Sequence, residues 1–184
     1  MIERETLQTS LCNTYLLFKK AAAEYGIGPL AAAESNLAEA LRCYGLNPEE
    51  AAHALLQFDE FSRSYVEAAL WATTDESTDA GGDPLDDNYS AADIDVDTLA
   101  GMIDDCRRFQ EANAADLAQY NHPEWTPAGL GGHDFWLTRN GHGCGFWDRN
   151  DCLPEDAAQR LTAAAEKCGE VDLYVGDNGK IYSN

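Results

Sequence analysis

Histidines beside carboxylates are the first residues in this chain that invite chemistry. The stretch His133 to Asn150 reads HDFWLTRNGHGCGFWDRN. Two aromatic runs flank Asn140-Gly141, the dipeptide that suits a two-residue type I′ turn because both central residues then need φ > 0. A β-hairpin is therefore expected from His133 to Asp148. In that register Arg139 faces His142, Leu137 faces Cys144, Phe135 faces Phe146, and His133 faces Asp148. His133 and Asp148 would then form a general base and its orienting carboxylate, the enzyme alternative of this reading, which would make the protein a hydrolase-type enzyme. The favoured reading assigns no catalytic residue, since no serine or cysteine stands beside His133 in this register, and treats the pair as a surface contact. On the other face, Gly143 and Gly145 lie beside Thr138 and Trp136, leaving possible ligand space at Trp136, Gly143 and Gly145.

Metal chemistry has two candidate sets. His142 and Cys144 share a face and Cys152 follows, but structural zinc wants four ligands and no fourth is evident. Asp75, Asp79, Asp83 and Asp86 fit part of a calcium-loop frame together with Ser77. The frame lacks the turn glycine, where Ala80 stands, and ends in Asp instead of Glu. The plainer reading is a solvated acidic loop, with no metal and no cofactor.

Charge limits the possible partners. The 184 residues hold 33 acids against 12 bases, a net charge of -21. Residues 74–106 alone carry eleven acids and no base. Such a surface repels nucleic acid and anionic membrane and attracts basic protein surfaces. Direct nucleic-acid binding and membrane association are excluded on this reading. Asp83, Asp86, Asp87, Asp93, Asp95 and Asp97 are the expected partner-binding residues. The six cysteines contain no Cys-x-x-Cys pair, and four of them (Cys12, Cys43, Cys106 and Cys168) fall in or at the ends of helical patterns. Reduced thiols and a cytoplasmic location are expected. The N-terminal order of acids, Leu16-Leu17-Phe18 and lysines is not that of a signal peptide, and no run is long enough to span a membrane.

The elements that must position these residues follow from periodicity and breakers. Helices are expected over 5–25, ended by Gly26-Ile27-Gly28-Pro29, and over 31–44, with Gly45 as the C-terminal glycine. A third starts at Asn47-Pro48, with Glu50 completing a capping box, and runs to about Trp71 on the stripe Ala54, Phe58, Phe61, Tyr65, Ala68 and Ala72. A polar loop covers 73–96. Asp97 caps a fourth helix with the stripe Leu99, Met102, Ile103, Cys106, Phe109, Leu117 and Tyr120, ended by His122-Pro123. Residues 123–132 read as loop. Pro154 opens a fifth helix that stops at Cys168-Gly169. A second hairpin pairs Val171–Val175 with Lys180–Ser183 around Asp177-Asn178-Gly179. The expected fold class is α+β: a helical region over 1–122 packed with a hairpin–helix–hairpin region over 123–184, giving an antiparallel sheet of four strands in one compact unit.

Several of these segments together resemble a family of small uncharacterised acidic proteins encoded by bacteriophages, plasmids and integrated mobile elements of bacteria. The resemblance is carried by the run from about Phe58 through Leu70-Trp71 and by Asp83-Pro84-Leu85-Asp86-Asp87-Asn88-Tyr89. It continues in the HDFWLTRNGHGCGFWDR motif from His133 and in Val171-Asp172-Leu173-Tyr174-Val175-Gly176-Asp177. It spans roughly two-thirds of the chain and leaves out Met1 to about Tyr44. It implies a mobile-element setting but no settled activity and no catalytic residues. Joined to the charge excess, it leads to an expected binding function: DNA mimicry that inhibits a basic nucleic-acid-binding or defence protein of the host, since duplex phosphates recur about every 1.7 Å along the axis. An enzyme and a structural or assembly component are the competing classes.

Overall fold

The computed structural model describes residues 28–43, 58–77 and 82–184. The helix expected over 5–25, the Asn47-Pro48 start with Glu50, and Gly45 lie outside the described residues. The chain divides into two compact units, residues 1–57 and residues 58–184. In the first, helix α1 spans Gly28–Cys43. It begins three residues earlier than the periodicity suggests. Gly28-Pro29, read from sequence as the end of a preceding helix, opens this one instead, because proline at a first turn forfeits only an N–H that has no helical partner.

The second unit holds α2 (Glu60–Ala72), α3 (Val96–Leu117), α4 (Pro127–Arg139), α5 (Glu155–Lys167) and the strands β1 (Leu173–Val175) and β2 (Ile181–Ser183). It is mostly helical, with a two-stranded antiparallel sheet at its C-terminal end. α2 has its own cap: Asp59 is extended and accepts a hydrogen bond from the Ser62 N–H at 2.7 Å. The expected helix through residues 47–71 is therefore not continuous, because the chain leaves helical geometry at Asp59. α3 is capped by Asp95, not Asp97; the Asp95 carboxylate accepts from the N–H groups of Asp97 and Thr98. Its stripe Leu99, Met102, Cys106, Phe109 and Leu117 is buried as expected, and it bends at Asn113, which is non-helical at φ -122°.

The largest correction concerns the 133–148 stretch, which forms no hairpin, so the sheet has two strands and lacks the two expected from this stretch. Thr126 caps a helix by accepting the Gly129 N–H, Pro127 takes the first helical position, and α4 continues through His133 to Arg139. The expected loop over 123–132 thus contains the helix start. Periodicity hid this element because Gly129 through Arg139 is buried on every side except at His133, which erases the polar stripe that marks a surface helix. Its glycines, unfavourable to an isolated helix by about 1 kcal/mol each, are there for contact. A Cβ on Gly132 would lie 2.0 Å from the Phe61 carbonyl oxygen, so α4 meets the backbone of α2 directly. Asn140-Gly141 ends the helix. Asn140 has φ -98°, which rules out a type I′ turn, while Gly141 is left-handed at φ +64°. The His142 N–H bonds the Leu137 carbonyl and the Gly141 N–H bonds the Thr138 carbonyl, a Schellman C-cap. None of the cross-strand pairs of that register exists.

Phe135 of α4 lies at the centre of the core. It stacks on Phe109 of α3 with ring centroids 4.0 Å apart, and touches Tyr65 and Phe61 of α2 at 5.1 and 6.1 Å. The acidic stretch after α2 is also more ordered than its composition suggests. Thr74 bridges Pro84, Leu85 and Ile94 are buried, and Ser90 with Asp93 forms a capping box around a short turn. Ile94 then pairs with Ile181 of β2, and the Asp95 N–H donates to the Ile181 carbonyl. β1 and β2 form the C-terminal hairpin expected from the sequence, with Tyr174 opposite Tyr182 and Gly179 left-handed at φ +74°. α5 ends at Cys168 with Gly169 left-handed, again as expected.

Candidate functional site

Two buried charges of opposite sign sit five residues apart on α4. Asp134 is fully buried; Arg149 clamps it with two bonds of 2.7 and 2.6 Å, and the Tyr120 hydroxyl donates to it at 2.5 Å. The Asp134 bond is the main cause that holds Arg149 well above its ordinary range. Burial, then the neighbouring carboxylate, pushes the Tyr120 phenol far above its own, so it stays a donor. Arg139 reaches the Tyr65 hydroxyl at 2.7 Å, Asp105 at 2.9 Å, and the carbonyls of Gly169 and Cys168 at the end of α5. Burial opposes its charge, but Tyr65 and Asp105 outweigh that and raise it. A cation there also meets the negative end of the α5 dipole. The Arg139 centre ties α4 to α2, α3 and the end of α5, and the Asp134 centre ties α4 to the segments at Tyr120 and Arg149.

His133 links the buried network to the surface. Its Nδ1 lies 3.0 Å from Asp134, so in the neutral ring the proton sits on Nδ1 and the lone pair on Nε2. Trp71 stacks beside it at 6.5 Å and Trp125 lies tilted to it at 6.0 Å, and both indoles are about half exposed, at 57% and 46%. Asp148, its expected partner, is exposed in the short turn Phe146–Asp148, and the cross-strand facing that would join the two is absent. Nothing in the sequence pattern signals that the adjacent Asp134 is the partner, because neighbours in a strand would point apart.

The residues read as ligand space separate. Trp136 is 1% exposed and helps line a cavity of about 550 Å³, but with residues 72–74, 76–77 and 170–175, Asn140 and His142, not with the glycines. Its indole N–H is buried without an acceptor. Gly143 faces open space, whereas a Cβ on Gly145 would collide with Thr138 and Trp147. That cavity brings Glu76, Glu170 and Asp172 together with no lysine or arginine among its lining residues. Sequence reasoning missed it, since its walls come from segments nearly a hundred residues apart.

Among the described residues no three His, Cys, Asp or Glu side chains gather in a manner that would hold a metal ion. Of the calcium-like set, Asp79 lies outside the described residues, Asp75 turns back to accept the Ser77 N–H, and Asp83 and Asp86 are exposed. Of the zinc-like set, Cys144 is exposed and Cys152 buried, and Cys106, Cys144, Cys152 and Cys168 are free thiols. The six acids expected to bind a partner also divide. Asp83, Asp86, Asp87 and Asp97 are exposed, whereas Asp93 and Asp95 are half-buried caps of a turn and a helix. No described helix is long and apolar enough to cross a membrane. No protein-family model matches the chain, and neither a curated protein nor a solved structure matches it.

Proposed function

We propose that the protein works by binding a basic surface on another protein, in the phage or mobile-element setting that the sequence resemblance implies. The observation that supports this is where the few cations go. Arg107, Arg108, Arg139, Arg149 and Arg160 each bond carboxylates of the same chain. Among the described residues the acid excess therefore has few internal counter-ions left, and its field is available to an external one. Asp83, Asp86 and Asp87 are exposed and contiguous with the 82–97 segment, and they present that field. A host nucleic-acid-binding or defence protein is the partner class whose surface fits, with the acids standing in for phosphates.

Immobilised full-length protein in lysate of the bacterial host tests the reading. A basic nucleic-acid-binding protein should be retained at low salt, released as salt rises, and displaced by duplex DNA. The triple variant Asp83→Asn, Asp86→Asn, Asp87→Asn should retain markedly less. Equal retention by the variant, or retention indifferent to DNA, would end the mimicry proposal.

One observation favours a second reading. A histidine whose Nδ1 is held by a buried carboxylate is oriented as a general base is. On that reading His133 acts from Nε2 between Trp71 and Trp125. Loss of biological activity in His133→Ala at matched expression, with the triple loop variant fully active, would promote it over binding.

A further inference from the structure

The hydrogen-bond parity of the C-terminal hairpin leaves one side of β1 unpaired beside the acidic cavity. The Asn184 N–H donates to the Asp172 carbonyl at 3.1 Å and the Gly176 N–H to the Lys180 carbonyl at 2.8 Å. With Tyr174 opposite Tyr182, residues 172, 174 and 176 therefore turn their backbone groups toward β2. Leu173 and Val175 turn theirs the other way, where no strand pairs with β1 among the described residues. β2 has no such free side at Ile181, since Ile94 and Asp95 already occupy it.

We propose that the edge of β1 takes an extended basic peptide segment as an added strand, seated in the cavity shared by Glu76, Trp136, Glu170 and Asp172. This rests on the basic-partner reading and names the form in which part of the partner binds. Three independent features converge there. The edge offers N–H and C=O groups at alternate residues, which is what strand addition uses. The carboxylates of Glu76, Glu170 and Asp172, with His142 but no lysine or arginine among the described lining residues, select positive charge. Trp136, whose buried indole N–H has no acceptor, forms part of the same wall. Asp172 and Tyr174 share one face of the strand and Tyr174 is 46% exposed. A lysine or arginine on the added strand therefore meets both a carboxylate and a ring face. The occupant should alternate basic and apolar residues.

The test titrates ¹⁵N-labelled full-length protein, at physiological salt, with an eight-residue peptide alternating Lys and Val. A peptide of the same charge with proline at alternate positions is the control, because it keeps the cations and cannot form a ladder. The expected result is slowed amide exchange at Leu173 and Val175, a shift of the Trp136 indole resonance, and clearly weaker binding of the proline peptide. Glu170→Gln with Asp172→Asn should weaken the alternating peptide about tenfold, the sum of two cross-strand ion pairs. Equal binding of both peptides, with shifts confined to residues 82–97, would overturn the strand proposal while leaving the basic-partner reading standing. Binding of neither peptide would overturn the strand proposal too, and the lysate experiment alone would then decide the broader reading.

Discussion

The chain contains two Asn-Gly turns, at 140–141 and 178–179, and they end in different structures. Both glycines are left-handed, at φ +64° and +74°. At the first, Gly141 closes helix α4 through a Schellman cap; at the second, Gly179 closes the β1–β2 hairpin. The dipeptide therefore specifies a positive φ and leaves the element to its flanks. On the N-terminal side of Asn140 the chain is wholly enclosed, from Gly129 to Arg139 apart from His133, and every backbone group needs a partner within the segment. A helix supplies those partners locally. Around Asn178 the flanks are three residues long and partly exposed, and a short ladder suffices.

The largest expected difference between the two regions comes from charge removal. Asp134→Ala strands Arg149 and Tyr120 without their acceptor, and should cost about 4 kcal/mol, as when one partner of a buried pair is deleted. Asp177→Ala, on the exposed hairpin turn, should stay within about 0.5 kcal/mol. Urea denaturation of the two variants checks this. Equal midpoints would mean that the Asp134 network contributes nothing to the fold.

Backbone contact gives the next contrast. Gly132→Ala drives a Cβ into the Phe61 carbonyl, and because backbone must move the cost should be about 3 kcal/mol. Gly176→Ala also meets an obstacle, the Tyr182 ring at 2.8 Å, but a half-exposed ring can swing aside. Its cost should be about 1 kcal/mol or less, apart from the strand's own preference for a side chain. Thermal melts that rank the two the other way would mean that the α2–α4 crossing is not set by glycine.

These contrasts also explain what the sequence made legible. The C-terminal hairpin, the stop at Gly169 and the apolar stripe of α3 were readable because each depends on a local pattern with one buried face. α4 was not readable, because a fully enclosed helix has no polar stripe, and its glycines and aromatics resemble loop and strand. Thr126-Pro127 was the available signal, a cap followed by proline in the first turn. The partners of His133 and Trp136, Asp134 on one side and residues 72–74, 76–77 and 170–175 on the other, depend on the helix and on tertiary packing, which no local pattern carries. The cap role of Asp95 was missed by two residues, and that matters for function. Neutralising it would mix a helix-start effect with any effect on binding, which is why Asp83, Asp86 and Asp87 make the cleaner variant.

The two Asn-Gly sites themselves should respond more alike. Gly141→Val and Gly179→Val each force a β-branched residue to a positive φ, at about 2 kcal/mol. Neither glycine has a neighbour within 4 Å of a built Cβ, so the cost is conformational and not steric. Far-ultraviolet circular dichroism on partial unfolding should separate them: helix signal falls with Gly141→Val and is retained with Gly179→Val. Identical helix loss in both would mean that the hairpin and α4 unfold as one unit.

The smallest effect is expected where the enclosed region begins, at the cap of α2. Burial alone would raise the Asp59 carboxyl, but hydrogen bonds from Gln110 and Ser62 outweigh it and hold the group below its ordinary value near 3.8. A carboxyl depressed in the folded state stabilises fully above its unfolded pKa. That contribution is lost as pH falls through the folded value, because the unfolded chain then takes up the proton first. Asp59→Ala should therefore cost about 1 kcal/mol at neutral pH, the usual value of an N-cap. The difference from wild type should shrink below about pH 4, where the unfolded chain begins to take up the proton that the folded carboxyl still resists. Asp59→Asn should recover much of the neutral-pH loss, since the amide oxygen still accepts the Ser62 N–H. Stability curves of the three proteins against pH provide the check. An Asp59→Ala deficit that is as large at pH 3 as at pH 7 would show that the side chain acts through packing, and that the ionised cap is not what starts the helix on which α4 rests.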